Sequence, residues 1–393
     1  MSPLPSTIAA GSLALAALLS PLRTTAQDQS KDTLNALRAQ ADRASVIYAR
    51  GKAAHYTEKF DLSGMPHYAP KAQLTGWIRI AGNNYLADGL LGEFWEKGFA
   101  KFEPGIKISY YLPTSAVAFA ALYYNQADLI MAHRPGFYDL LGYERIMSCD
   151  PVEITGVTGS YDVGGWENSY TILVNQANPI KGISMQQLDG VFGSARDGGW
   201  VGTNWRPDFA RGPEGNIRTW GQLGLTGEWA DKPIHLYGFA LRYNTSTDFA
   251  DKVLKGSDKW NENIHTYGNF VKPDGTRIVE ADQITQALAQ DPYGIAYNRF
   301  RGERPMIKRL PVAPGATDAY VEHTLENIQN RTYPLSCQVY FYTNVKPGAR
   351  MDPLVVEFMH YILSQEGQAE VERDGKYLPL TADDVNAQLQ KLP

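Results

Sequence analysis

Along the chain, short runs in which apolar and polar residues alternate give way to longer runs with helical spacing, and from residue 74 the two patterns take turns. Residues 77–80 (Trp-Ile-Arg-Ile) read as a strand, 82–85 (Gly-Asn-Asn-Tyr) as a turn, and 86–102 as a helix carrying Leu90, Leu91, Phe94, Trp95 and Phe99 on one side. A second strand at 106–111 leads to a cap at Thr114-Ser115 and a helix over 116–124, and a third strand at 128–131 ends in Ala132-His133-Arg134-Pro135. The Gly-rich stretch 160–166 suits a crossing between two lobes, before a strand at 170–175 and a Ser184-capped helix. A strand at 234–239 precedes a helix whose apolar residues include Phe249, Val253 and Leu254. Residues 291–297 close a helix and open a returning strand, and 333–342 with a helix at 354–363 finish the first lobe. Residues 193–233, with Trp200, Trp205, Trp220 and Trp229, show little periodicity and read as an irregular insert. Residues 33–48 have helical spacing within a polar N-terminal extension, 27–73.

Strand and helix in regular alternation imply mostly parallel sheets, in which ligands sit beyond the carboxyl ends of the strands. Three turns then share one edge: Asn83, Asn84 and Tyr85; Thr114 and Ser115; His133 and Arg134. In the second lobe, Asn244, Thr245, Ser246, Thr247 and Asp248 are residue types that cap helix starts, where free N–H groups and the peptide dipole attract an anion. Arg242 adds a forked donor matched to phosphate or carboxylate oxygens. The plainer alternative is an ordinary helix cap beside a surface arginine.

The totals narrow the class. A chain of 393 residues, 44% hydrophobic and 20% charged, is ordinary globular material and long enough for two lobes. A formal net charge of -5 argues against nucleic acid as a partner. Residues 8–19 form an apolar core too short to span a membrane, so 1–26 is expected to be a secretory signal cleaved after Ala26. That predicts a periplasmic, soluble protein. Cys149 and Cys337 are either a disulfide or two separate thiols. Asn244-Thr245-Ser246 and Asn330-Arg331-Thr332 match glycosylation acceptors, which mean nothing in a bacterial export context.

Several motifs, in their order along the chain, carry a resemblance. They are Tyr161-Asp162-Val163-Gly164-Gly165 before Ile172-Leu173-Val174-Asn175; Arg242 to Thr247; Tyr293-Gly294-Ile295-Ala296-Tyr297; and Leu363-Ser364-Gln365-Glu366-Gly367-Gln368 with Tyr377-Leu378-Pro379-Leu380. Over about 74–381 the chain resembles the substrate-binding proteins of ABC-type phosphate uptake systems. The resemblance implies an α/β, two-lobed type II periplasmic-binding-protein fold with two crossing strands as hinge. It places the lobes at 74–163 plus 298–393 and at 164–297. It further implies capture of an inorganic oxyanion between the lobes for a membrane ABC permease, by a monomer without cofactor, catalytic residue or metal. The anion-binding residues carried over are Asn83, Asn84, Tyr85, Thr114, Ser115, His133, Arg242, Asn244, Ser246 and Thr247.

Three departures from the family pattern bear on the ligand. Ser246 and Thr247 are adjacent, without the glycine the family places between them. Residues 113–117 lack glycines, and His133 stands where the family has an acid that accepts a proton from phosphate. His133, Arg134 and Arg242 are therefore expected to form a cationic cleft favouring a fully ionised oxyanion or a phosphoryl or carboxylate group. Two other classes remain. A hydrolase would need His133 to activate Ser115 or Ser246 with Asp128 behind it, but the chain has no Gly-x-Ser-x-Gly, His-Glu-x-x-His or Cys-x-x-Cys. A binding or scaffolding protein with another ligand, or none, would use the tryptophan-bearing insert as a cover or contact surface.

Overall fold

A computed structural model describes residues 54–164, 166–299 and 302–393; the signal-like stretch 1–26 and the helical stretch 33–48 lie outside them. Ten strands form two five-stranded sheets. The chain lays down β1 (Gly76–Gly82), β2 (Ile106–Tyr111), β3 (Leu129–Ala132) and β4 (Val152–Thr158), then crosses. It builds the second sheet from β5 (Tyr170–Asn175), β6 (His235–Phe239), β7 (Ile264–Tyr267), β8 (Gly294–Arg299) and β9 (Ile307–Leu310), and returns as β10 (Gln338–Thr343). The strand orders are β2-β1-β3-β10-β4 and β7-β6-β8-β5-β9.

The parallel pairing expected from the alternation holds for β1 with β2 and β3, and for β6 with β7 and β8. Strands next to the crossings run the other way: β10 is antiparallel to β3 and β4, and β5 to β8 and β9. A strand entering from the opposite lobe arrives from the far end, which reverses it. The second sheet also extends past residue 297, because β9 pairs with β5.

Local chemistry accounts for the elements. In β1, Ile78 and Ile80 are buried on one face while Trp77 on the other is exposed, the period of a half-covered strand. Every residue of β5 is buried, as expected of an apolar, β-branched strand covered on both faces. The helices that matter below are α1 (Leu91–Phe99), α2 (Ala118–Tyr123), α3 (Phe137–Met147), α4 (Met185–Phe192), α5 (Asn244–Val253), α6 (Glu280–Ala289), α7 (Pro353–Ile362) and α8 (Gln365–Asp374). The helix expected over 86–102 is split: one turn at Tyr85–Asp88 ends at an extended Gly89, and α1 follows. The Leu90 N–H donates to Asp374 Oδ1 at 2.8 Å, which fixes this second start. Leu91, Trp95 and Phe99 then bury one stripe of α1.

The two crossings run side by side. The Gly159 N–H donates to the Cys337 carbonyl at 2.8 Å and the Tyr170 N–H to the Leu335 carbonyl at 3.1 Å. A Cβ on Gly159 would stand 2.3 Å from the Glu167 carbonyl oxygen, so only glycine lets these segments pass so closely.

The insert is irregular, as read, but it is stapled by arginines. Arg196 grips Asp189 through both guanidinium nitrogens at 2.5 and 2.7 Å, and Arg218 donates to the carbonyls of Gly190, Gly193 and Ile217. Trp220 is fully buried, with its Nε1–H on the Tyr293 carbonyl, whereas the hairpin 199–206 leaves Trp205 half exposed. That hairpin reaches α3: the Trp200 ring lies 4.6 Å from Phe137, and Thr203 Oγ1 donates to Glu144 Oε1 at 2.6 Å.

Among the described residues no helix is long and apolar enough to cross a membrane. Both cysteines are free thiols, Cys337 buried and Cys149 half-buried with its Sγ 3.6 Å from the Val345 carbonyl. Of the two alternatives read from the sequence, the structure takes separate thiols. Titration in denaturant without reductant should therefore find both of them, and a result of none would require the bridge.

Candidate functional site

The carboxyl ends of β1, β2 and β3 do lie on one edge of the first sheet. β1 ends at Gly82, whose φ of +119° and 2.3 Å approach (from an added Cβ) to the Met131 carbonyl exclude any side chain. This draws Asn83 inward: its N–H donates to Met131 O at 2.7 Å and its Oδ1 accepts the Tyr85 N–H at 2.9 Å. Asn83 is completely buried, and its Nδ2 has no hydrogen-bond partner among the described residues. A buried, unused donor of this kind costs about 1–3 kcal/mol. Asn84 is engaged, donating from Nδ2 to Asp88 Oδ2 at 2.5 Å, and Tyr85 packs its ring 5.2 Å from Trp166. Thr114, exposed, caps the short turn Ser115–Val117 by accepting the Ala116 N–H at 3.4 Å.

On the second sheet, α5 begins one residue earlier than its composition suggests. Tyr243, extended, is the N-cap residue, so Asn244, Thr245, Ser246 and Thr247 form the first turn and none caps the helix with its side chain. The N–H groups of Ser246 and Thr247 both go to the Tyr243 carbonyl. The Ser246 hydroxyl is buried and spent on the Phe239 and Ala240 carbonyls at 3.1 Å and on Tyr297 Oη at 2.9 Å. It holds α5 to the sheet. Asn244 and Thr247 remain exposed, and the Thr247 methyl stands 3.5 Å from where a Cβ on Gly136 would lie. The loops after β3 and β6 therefore meet. Arg242 is exposed, its guanidinium 5.0 Å above the Tyr243 ring. No hydrogen bond or ion pair among the described residues joins it to Asn83, Asn84, Tyr85, Thr114 or Ser115.

The expected cationic cleft is not what the side chains form. His133 Nδ1 lies against the Glu167 carboxylate, and Arg134 lies 3.6 Å from Glu153 and 3.7 Å from Asp251. Glu167 also takes Arg299 at 2.7 Å. Burial alone would raise the Glu167 carboxyl, yet His133 and Arg299 beside it hold it down to about 2. Arg299 further donates to the Asn168 carbonyl at 2.6 Å and the Tyr170 hydroxyl at 3.1 Å. Next to this lies Asp248, with Lys252 at 3.7 Å and the Cys337 thiol donating to it at 3.7 Å. Burial opposes the Lys252 charge, and Asp248 together with Cys337 and Tyr340 outweighs it, holding its pKa above the ordinary lysine value.

Sequence reasoning missed Glu167, Arg299, Asp248 and Lys252. Donor atoms of Glu167, Asp248 and Cys337 lie within 4.8 Å of one another, a spacing a metal ion could use. With Arg299 and Lys252 already neutralising both carboxylates, the set reads as an ion-pair network. Nor do the residues of the hydrolase reading assemble. Asp128 is held by Arg79 at 2.6 Å, Ser246 is consumed as described, and His133 faces Glu167. A second Ser–His pair, Ser169 with His323 Nε2 at 2.6 Å, points the wrong way. Arg309 lies 3.2 Å from His323 Nδ1, and a guanidinium only donates. Nδ1 must accept, so Nε2 carries the proton and cannot take one from the serine.

This fold, with strand-end loops of two sheets meeting, has known counterparts. A model described as a PBP superfamily domain matches residues 67–366, and the chain belongs to that superfamily. It is 29% identical over 329 residues to the phosphate-binding protein PstS of Pseudomonas aeruginosa, covering 84% of this chain and 90% of that protein. The phosphate-binding protein PstS of Staphylococcus saprophyticus is 24% identical over 266 residues, with 62% and 77% covered. A solved ABC-type phosphate transport receptor from Vibrio cholerae is 15% identical at a TM-score of 0.47, covering 77% of this chain and 99% of that one.

Proposed function

We propose that the protein is an extracytoplasmic solute-binding protein that captures a phosphate-type oxyanion between its two lobes and delivers it to an ABC importer. The observation that carries this reading is the meeting of the two strand-end edges at Gly136 and Thr247, with the unpaired Asn83 amide on the first of them. The similarity to PstS over most of both chains supports it. Asn83, Thr114, Ser115, Asn244 and Thr247 are the proposed donors, and Arg242 folds in from the rim as the forked cation. Asn84, Tyr85 and Ser246 shape these loops from behind. His133 lies against Glu167, a buried carboxylate whose two oxygens already face His133 and Arg299, so these side chains leave the cleft no unopposed positive charge.

Isothermal titration with phosphate, sulfate and molybdate tests this. Phosphate should bind best; sulfate or molybdate binding more tightly would make the ligand a fully ionised oxyanion of another kind. No heat with any anion would favour the reading of a cleft with another ligand or none, to which the spent Ser246 hydroxyl and the exposed Arg242 lend weight. Arg242→Ala should weaken binding about tenfold to a hundredfold, the worth of one charge-assisted contact, with the fold intact. Unchanged affinity would take Arg242 out of the site. The first lobe boundary at 163/164, a monomeric state and a mature N-terminus at Gln27 belong to the same proposal, while the second boundary moves from 297/298 to beyond Leu310, because β9 pairs with β5. Intact mass of the exported protein checks the mature N-terminus.

A further inference from the structure

The segment before β1 is tied to α8 along its length. The His55 and Tyr56 N–H groups both donate to the Gly375 carbonyl, at 2.9 and 2.8 Å. Lys59 pairs with Glu372 at 2.7 Å, whose other oxygen accepts the Phe60 N–H at 2.8 Å. Further on, the Gln365 N–H donates to Pro66 O at 2.9 Å, and Glu366 accepts the Tyr68 N–H at 2.8 Å. Leu62, Met65 and Tyr68 join the apolar cluster of the first sheet, but the Tyr56 ring belongs to that of the second. One short strap thus touches both.

Its inner end lies on the first crossing. Tyr56 Oη accepts the successive backbone N–H groups of Tyr161 at 2.9 Å and Asp162 at 3.1 Å, lies 2.7 Å from Ser160 Oγ, and donates to Asp162 Oδ1 at 2.9 Å. His55 Nε2 meets the same carboxylate at 2.9 Å. A single side chain therefore fixes the backbone directions of residues 161–162, at one of the two places where, among the described residues, the chain passes between the sheets. Lobes joined in this way open and close by changing backbone angles at those places.

We propose that Tyr56 is a positioning residue of the hinge: the strap holds the first crossing in the arrangement in which the loops around Gly136 and Thr247 meet, and so sets how readily the cleft closes. This rests on the reading of an anion-capturing cleft. Tyr56→Phe keeps the ring and removes the four contacts of the hydroxyl. The variant should show faster amide exchange at residues 161–162 and also at α3 and the hairpin 199–206, which Tyr56 does not touch but which meet across the cleft. Its Kd for inorganic phosphate should rise about threefold to tenfold, the worth of roughly one net hydrogen bond. A urea midpoint close to that of the parent serves as the folding control. Faster exchange confined to residues 160–163 would overturn the proposal, as would an unchanged Kd in a protein that binds phosphate. If the parent chain binds no phosphate, the oxyanion reading fails by itself, and exchange at α3 and the hairpin still decides the role of the strap.

Discussion

Glu167→Gln should destabilise the protein by about 3–5 kcal/mol at neutral pH, the cost of removing one partner from a buried ion pair. The Glu167 side chain is 6% exposed and that of Arg299 12%, so the charge left behind cannot reach bulk water. The substitution also turns an acceptor into a mixed group. Its carbonyl can satisfy either His133 or Arg299, and its amide then presents N–H to the other donor. Urea unfolding of parent and variant measures the difference. A loss under about 1 kcal/mol would mean that Asp248, whose charge also acts on Arg299, compensates it alone.

Acid should weaken the fold well before ordinary carboxylates titrate. His323 is buried, and that burial, followed by the charge of Arg309, pushes its pKa from 6.5 down to about 3. An unfolded chain binds the proton that the folded one refuses. Stability is thus complete above pH 6.5 and declines as pH falls toward 3, by about 1.4 kcal/mol per pH unit. Over the whole window the loss is on the order of 4 kcal/mol. Glu167 acts in the same direction but lower, its contribution being present above pH 4.5 and lost as pH falls toward 2. Unfolding free energies between pH 6.5 and 4.5 isolate the histidine, and His323→Gln should flatten the curve there. A parent protein equally stable at both ends would show that His323 takes its proton while folded.

Much of the scaffold is written locally. The strands 106–111 and 170–175 run between the residues their alternation marks, because each is an apolar run bounded by polar or turn residues. The break at Gly89 was hidden, since it depends on a carboxylate at position 374. The strand β4 and the helix α3 were likewise not marked out, α3 having its apolar residues spread around it. The candidate site was legible as loops but not as chemistry. Gly82 and Asn83 advertise a turn, and the turn is there. Ser246 looks the same in sequence whether it faces a ligand or, as here, the Tyr297 hydroxyl 51 residues away. Arg299 and Glu167 are separated by 132 residues and meet because β8 pairs with β5 in a register that sets Arg299 opposite Tyr170, three residues after Glu167. A charge count along the chain sees His133 and Arg134 as cations and cannot see the acids that cancel them.

The placement of β10 bears on how the molecule is made. β5 to β9 come from one continuous stretch, residues 170–310, so the second sheet can assemble as soon as that stretch has emerged. The first sheet starts nearly a hundred residues earlier, yet its inner strand between β3 and β4 is residues 338–343. Until synthesis reaches them, β3 and β4 each have an unpaired apolar edge, the kind of surface that draws neighbouring chains into aggregates. The half that begins first is finished last, and a chain truncated before residue 338 would keep one finished sheet beside one that never closes.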